Sequence, residues 1–294
     1  MKITRCAAAL LLVLVAASSR ATDDLDRTLI ERATGLKGTW NEKEKVFRVA
    51  VPRIDLSVSS GGARLTPPMG LTSWAAFQKV PEGAMVMGDL VLREDQVAPV
   101  MDAALQNGLE VTALHNHFFG ESPRIMFMHI GGMGDPEKLA AGVGKTFQRM
   151  SETAKDPIRA APVDIDPART TLDPKKVEAA LGTSGDFKDG VLKFVIAKPA
   201  RMHGSPVGAA MGANTWAAFA GSDAKAVVDG DFAMLESELQ GVLKALRGAG
   251  IEVVAIHSHM TGEEPRILFL HYWGIGTTEA LARGLRAALD TQAR

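Results

Sequence analysis

The chain has 294 residues, 46% of them hydrophobic and 23% charged, with a formal net charge of −1 and a single cysteine. That length suggests about two domains with enough residues to bury real cores. With no basic stripe and no run of like charges, nucleic acid and anionic membrane surfaces are not expected as partners.

The first segment reads as an export signal. Lys2 and Arg5 precede an apolar run from Ala7 to Ala17, too short to span a bilayer, and Ser19-Arg20-Ala21 is a small-x-small cleavage site. A signal peptide over 1–21 is therefore expected, which makes the protein periplasmic or secreted, with no membrane span after cleavage. Cys6 lies before the apolar run and leaves with it, so the mature chain has no thiol for a disulfide or for catalysis. Loss of Lys2, Arg5 and Arg20 moves the net charge from −1 to −4.

In chain order, Leu25, Leu29, Ile30 and Ala33 mark a short amphipathic helix ending near Gly35. An alternating strand follows at Val46 to Val51, then a Gly/Pro-rich loop and two short strands around Trp74–Phe77 and Ala84–Leu92. Val97, Val100, Met101 and Ala104 form the stripe of the next helix. Asp95 is its candidate N-cap, Gly108 its candidate C-cap, and Pro99 falls in the first turn. Leu109–His117 and Arg124–Ile130 are expected to pair as a hairpin, and a last helix begins after Asp135.

The order then repeats. Gly70 to Gly132 aligns with Gly212 to Gly274 at a constant offset of 142 without a gap, and 26 of the 63 positions are identical. Upstream the match continues at an offset of about 147, with Phe47 facing Phe194 and Pro52 facing Pro199. Ser237 and Gly250 are the candidate caps of the second copy, and its last helix begins after Thr277. The expected fold is α+β: two tandem copies of one antiparallel-sheet module with flanking helices, over 22–150 and 172–294. A linker covers 151–171, with Pro, Ala and Asp concentrated in 156–166.

Six of the seven histidines sit in matched places: His115, His117 and His129, then His257, His259 and His271. Glu121 and Glu263 follow at equal spacing. A His-x-His pair on a strand points both rings to one face, and an even hairpin register brings the third histidine to that face. Three neutral imidazoles and a carboxylate suit a divalent transition metal: Zn, Mn, Fe, Ni or Cu. Glu121 and Glu263 are the candidate catalytic groups, as ligand or general base. The competing reading is a histidine hydrogen-bond network that only braces the hairpin.

Arg124 and Arg266 adjoin the clusters and are candidates for clamping a small anionic ligand; a salt bridge to Glu121 or Glu110 is the plainer expectation. His203 aligns with Asp55 in the loop before the Trp-Ala-Ala-Phe strand, and both are candidate ligand-binding residues if that loop folds over the cluster. Asp89 and Asp231 each follow a glycine, and a turn or capping role is expected of them. Trp74 and Trp216 are expected in the core.

The segment Glu-Val-Thr-Ala-Leu-His-Asn-His at 110–117, with Gly120-Glu121-Ser122-Pro123-Arg124 and Met128-His129, resembles the LppY/LpqO family of secreted bacterial proteins of unknown function. The resemblance covers nearly all of the mature chain. It implies an exported protein with a duplicated module and supplies no activity. Members that give the family its name are lipoproteins; this chain lacks a well-placed lipobox cysteine. A second likeness, to the cupin His-x-His-x3-Glu…His motif, is one of metal chemistry and not of fold. A strong helix directly precedes the His-x-His strand, and only seven residues separate Glu121 from His129. The functions in play are a metal-dependent enzyme, a binder of metal or a small ligand, and a structural or partner-binding module.

Overall fold

The structure is a computed structural model that describes residues 25–157 and 162–292. The expected signal segment over 1–21, with Cys6, lies outside the described residues. Copy one runs α1 (Arg27–Thr34), β1 (Gly38–Asn41), β2 (Val46–Pro52), β3 (Thr72–Val80), β4 (Gly83–Arg93), α2 (Glu94–Gln106), β5 (Glu110–His115), β6 (Ile125–Gly134) and α3 (Pro136–Lys155). Copy two repeats the order as α4 (Pro174–Leu181), β7 (Asp186–Lys188), β8 (Val191–Ala197), β9 (Asn214–Gly221), β10 (Ala226–Leu235), α5 (Leu239–Gly248), β11 (Glu252–His257), β12 (Ile267–Gly276) and α6 (Thr278–Asp290). The strands around Trp74 and Ala84 are longer than their sequence pattern suggested, and α3 extends to Lys155, into the expected linker.

These twelve strands join one antiparallel sheet in the order β1-β2-β3-β4-β6-β5-β11-β12-β10-β9-β8-β7, and shorter strands in the loops pair apart from it. Each half is the mirror order of the other, so the α+β module is present twice and the copies share a sheet. The helices cover one face: α3 packs on α1 and α2, α6 on α4 and α5, and α2 meets α5. One hydrophobic core, from Leu25 to Ala288, runs beneath them through both copies. Among the described residues no helix is long and apolar enough to cross a membrane.

Local chemistry explains the helix ends. Asp26 accepts from the Leu29 amide at 3.0 Å to start α1, and Asp135 accepts from Glu137 and Lys138 to start α3. Asp95 and Ser237 do not cap. β4 runs straight into α2 with Arg93 at the N-cap, and Gln96 accepts from the Arg93 amide at 3.0 Å. Glu238, the match to Gln96, does the same for Leu235 at 2.8 Å, after one 3-10 turn over Glu236–Glu238. Asn107 and Ala249 take the C-caps rather than Gly108 and Gly250, which follow one residue later in the left-handed conformation that ends the helices, with φ of 79° and 72°.

A β-bulge sets which residues face which way. Val111 and Leu114 are three apart, so strict alternation would send them to opposite faces. The register shifts between Val111 and Ala113, and both side chains reach the core. Val253 and Ile256 repeat this around Val254. His115 and His257, one residue beyond, are thereby directed to the face without helices.

The copies meet where β5 and β11 share one bridge, Leu114 opposite Ile256. Beyond it the strands part, and the Gln240 carboxamide stands in for the missing partner. It donates to the Val111 carbonyl at 2.8 Å and accepts from the Val111 amide at 3.1 Å. Arg247 holds Asp102 with two bonds of 2.8 and 3.0 Å. The residues matched to Gln240 and Arg247 are Ala98 and Leu105, so the junction is asymmetric.

Two stability predictions follow from this packing. Gln240→Leu strands both backbone groups of Val111 and should lower stability by about 1–3 kcal/mol, read by denaturant titration. A methyl at Gly230 would overlap the Tyr272 hydroxyl and the Trp216 carbonyl, to which that hydroxyl donates at 2.8 Å. Gly230→Ala should therefore cost about 1–3 kcal/mol in the same assay. Unchanged midpoints would contradict these roles.

Candidate metal centre

On the face without helices, matched residues stand opposite one another across four strands. Trp216, Asp231, His271 and Ala255 form one row; Trp74, Asp89, His129 and Ala113 form its twin. His115 and His257 are the last residues of β5 and β11; the expected strand to His117 stops short, and His117 and His259 follow in the hairpin loops, stacked on Phe127 and Phe269.

In the second copy the His257 and His259 ring centroids are 5.1 Å apart, and His257 lies 4.5 Å from His271. His259 Nε2 is 2.9 Å from Asp231 Oδ2, and His271 Nδ1 is 3.7 Å from Asp231 Oδ1. His259 also lies flat on Phe269, with centroids 3.5 Å apart. One ligand atom from each of Asp231, His257 and His259 falls within 4.8 Å of the others, a group able to hold a metal ion.

The first copy repeats the arrangement more loosely. His115 Nε2 and His129 Nε2 are 3.1 Å apart, and Asp89 Oδ1 is 4.0 Å from His129 Nε2. His117 stacks on Phe127 at 4.0 Å and stands 5.5 Å from His115. The 3.1 Å His115–His129 contact is a hydrogen bond between the two rings, and its length is also close to the roughly 3.3 Å that separates imidazole nitrogens about 2.0–2.1 Å from one tetrahedral zinc ion.

Three buried polar atoms of these clusters have no hydrogen-bond partner: Asp89 Oδ1, Asp231 Oδ1 and His257 Nε2. Burial pushes both aspartates above the ordinary carboxylate range, although the surrounding imidazoles pull the other way. Burial, and then the neighbouring His271, hold His257 below the usual imidazole value. Its ring is therefore neutral at pH 7, with a lone pair available to a cation.

The sequence candidates divide. The six clustered histidines come together as two groups of three. Glu121 and Glu263 sit at the hairpin turns, where they accept from the amides of Ile125 at 3.5 Å and Ile267 at 3.0 Å. The carboxylate beside the imidazoles is instead Asp89 or Asp231. Neither aspartate ends a strand or caps a helix; both lie inside one. Val86, Leu90 and Leu92 face the core, so the parity of β4 sends Asp89 to the other side. That parity, and the aspartate's recurrence in both copies, were the available signals.

Arg124 pairs with Glu94 at 3.4 Å rather than with Glu121 or Glu110. Arg266 lines a separate groove with Glu110 and Glu236. Asp55 is bound by Arg53 through two bonds of 2.9 Å, and Arg53 is itself buried against Gln96 and the Val91 carbonyl. His203 (φ 50°) and Gly204 (φ 80°) form an exposed two-residue turn between the short strands Ala200–Met202 and Ser205–Val207. The first-copy loop does support the site. Leu56, Val58, Leu65 and Leu71 pack with Val91 and Phe127, the ring beneath His117. Trp74 and Trp216 leave the core to their neighbours and stand half-buried beside the aspartates. The Arg48 guanidinium lies 4.2 Å over one and the Lys193 ammonium 4.7 Å over the other.

Comparison with curated proteins gives no match. Among solved structures, the chain is similar to the trimeric bacterial microcompartment shell protein PduB, at 12% identity over 86% of this chain and 89% of that one, with a TM-score of 0.20. The ethanolamine utilization protein EutL from Leptotrichia buccalis C-1013-b aligns at 12% identity over 83% and 89%, with a TM-score of 0.22. One family model matches twice, over residues 28–149 and 175–291. The chain therefore belongs, as two copies, to the family described as Domain of Unknown Function (DUF1259).

Proposed function

We propose that this is an exported metal-binding protein in which each module holds one divalent transition-metal ion between three imidazoles and an aspartate. The ligands are His257, His259, His271 and Asp231 in the second module, and His115, His117, His129 and Asp89 in the first. The observation that carries the reading is the pair of buried, unpartnered atoms, Asp231 Oδ1 and His257 Nε2, within a group that converges to 4.8 Å. Leaving such atoms unpaired costs about 1–3 kcal/mol each, and a shared cation removes that cost. The nitrogen-rich set suits Zn, Mn, Fe, Ni or Cu over Mg or Ca. Export rests on the signal-like segment over 1–21 and on the resemblance to the LppY/LpqO family.

Turnover would require Glu121 and Glu263 to leave the amides they hold before acting as bases. Binding without turnover is the reading that this favours. A structural brace is the alternative, supported by the 2.9 Å His259–Asp231 contact and the stacking of His259 on Phe269. A melting temperature indifferent to chelator would select the brace.

Elemental analysis of the purified mature protein should find about two metal ions per chain, falling to about one in Asp231→Asn and in His257→Ala. Equal metal content in all three proteins would reject the assignment.

The pH dependence has a definite sign. The folded values of Asp89 and Asp231 are raised, so the metal-free fold is favoured at low pH and loses stability as pH rises through those values. His257 is lowered, so its contribution is complete above the ordinary histidine value of about 6.5 and is lost as pH falls below it. Asp231→Asn should therefore raise the melting temperature of the chelated protein at pH 7 and remove the second module's share of the metal-induced rise. A lower melting temperature for the chelated variant would contradict the buried-charge account.

A further inference from the structure

The two clusters open onto common ground. The Leu114–Ile256 bridge brings the strand ends that carry His115 and His257 to one seam. Ala255, with its short side chain, lines the space between them. A groove of about 580 Å³ lies there, lined by His115 of the first module and by His257 and His271 of the second. The first module's hairpin loop forms the other wall, with Phe118, Phe119 and Arg124.

That wall belongs to one module only. The residues matched to Phe118 and Phe119 are Met260 and Thr261. Phe119 is 93% exposed, a large apolar ring presented to solvent at the groove. The loop that carries it is tied down. Ser59 and Ser122 exchange backbone bonds of 3.0 and 2.9 Å, and the Ser60 hydroxyl donates to the Phe119 carbonyl at 3.1 Å. Arg124 touches Glu94 at only 3.4 Å, with both side chains more than half exposed, a weak pair that leaves guanidinium donors free.

We infer that this groove binds one carboxylate ligand with a flat apolar body per chain. The carboxylate lies between Arg124 and the imidazole-bound metal, and the body lies against Phe118 and Phe119. Glu94 and Glu121 also line the groove and set two negative charges against one guanidinium, so a monoanion is favoured over a phosphate dianion. One of the two anchors rests on the metal reading proposed above; the other, Arg124 with the phenylalanines, does not.

The test uses the full mature chain loaded with zinc, its metal content measured first. It is titrated calorimetrically with benzoate, its neutral isostere benzamide, and inorganic phosphate. About one benzoate per chain should bind, with benzamide and phosphate weaker by tenfold or more. Arg124→Gln should weaken benzoate by about tenfold at unchanged zinc content, and Phe119→Ser severalfold. Arg283→Gln, on α6 across the sheet, should have no effect. Two benzoates per chain, equal affinity for benzamide, or full affinity in zinc-loaded Arg124→Gln would each overturn the proposal. Zinc retained without benzoate binding sinks the groove alone. Benzoate bound through Arg124 in a chain that takes no zinc supports the groove and sinks the metal reading.

Discussion

A carboxylate placed inside a β-sheet, on a strand whose neighbours on both sides are paired, loses water that it can recover only through specific partners. Asp89 and Asp231 are held there, each between a tryptophan on one adjacent strand and a histidine on the other. The imidazoles offset part of the desolvation, yet each aspartate keeps one oxygen without a partner. The rest of the centre can be understood as what makes this tolerable. A neutral His257 is within reach, aromatic rings carry His117 and His259, and a cation stands over each tryptophan.

The glycine before each aspartate serves the same end from the opposite face. With no side chain at Gly230, the Tyr272 ring lies against the backbone and its hydroxyl reaches the Trp216 carbonyl. At Gly88 the Trp74 carbonyl and the Ile130 side chain take up that space. The repeated Gly-Asp pair is thus one device seen from two sides: packing against the helices beneath, and an uncrowded carboxylate above.

Duplication then creates something that neither module has alone. Joining β5 to β11 through a single bridge between matched residues, Leu114 and Ile256, brings the two histidine clusters to one seam, where His115, His257 and His271 line a common groove. Symmetry ends at the periphery. Gln240 and Arg247 secure the junction from one side only, and the two phenylalanines occur in one loop only. Related sites with unequal surroundings can diverge in affinity while keeping the same ligand set.

Much of this was legible in the sequence because it is local or repeated. The duplicated α+β module, the apolar stripes of α2 and α5, and the start of the last helix after Asp135 and Thr277 follow from periodicity and spacing alone; the strands end at His115 and His257, so strand alternation does not place His117 and His259. Glu121 was read as the cluster's carboxylate because it is close in sequence, whereas the structure supplies Asp89 from a strand forty residues from His129. Cross-strand register decides that pairing, and register is a property of the assembled sheet. The bulges at Thr112 and Val254, which aim the imidazoles, and the bridge that makes two clusters neighbours, were likewise decided only when the chain closed on itself. Alternation along a strand is written in the residues; which strand lies beside it is settled by the packing of distant parts.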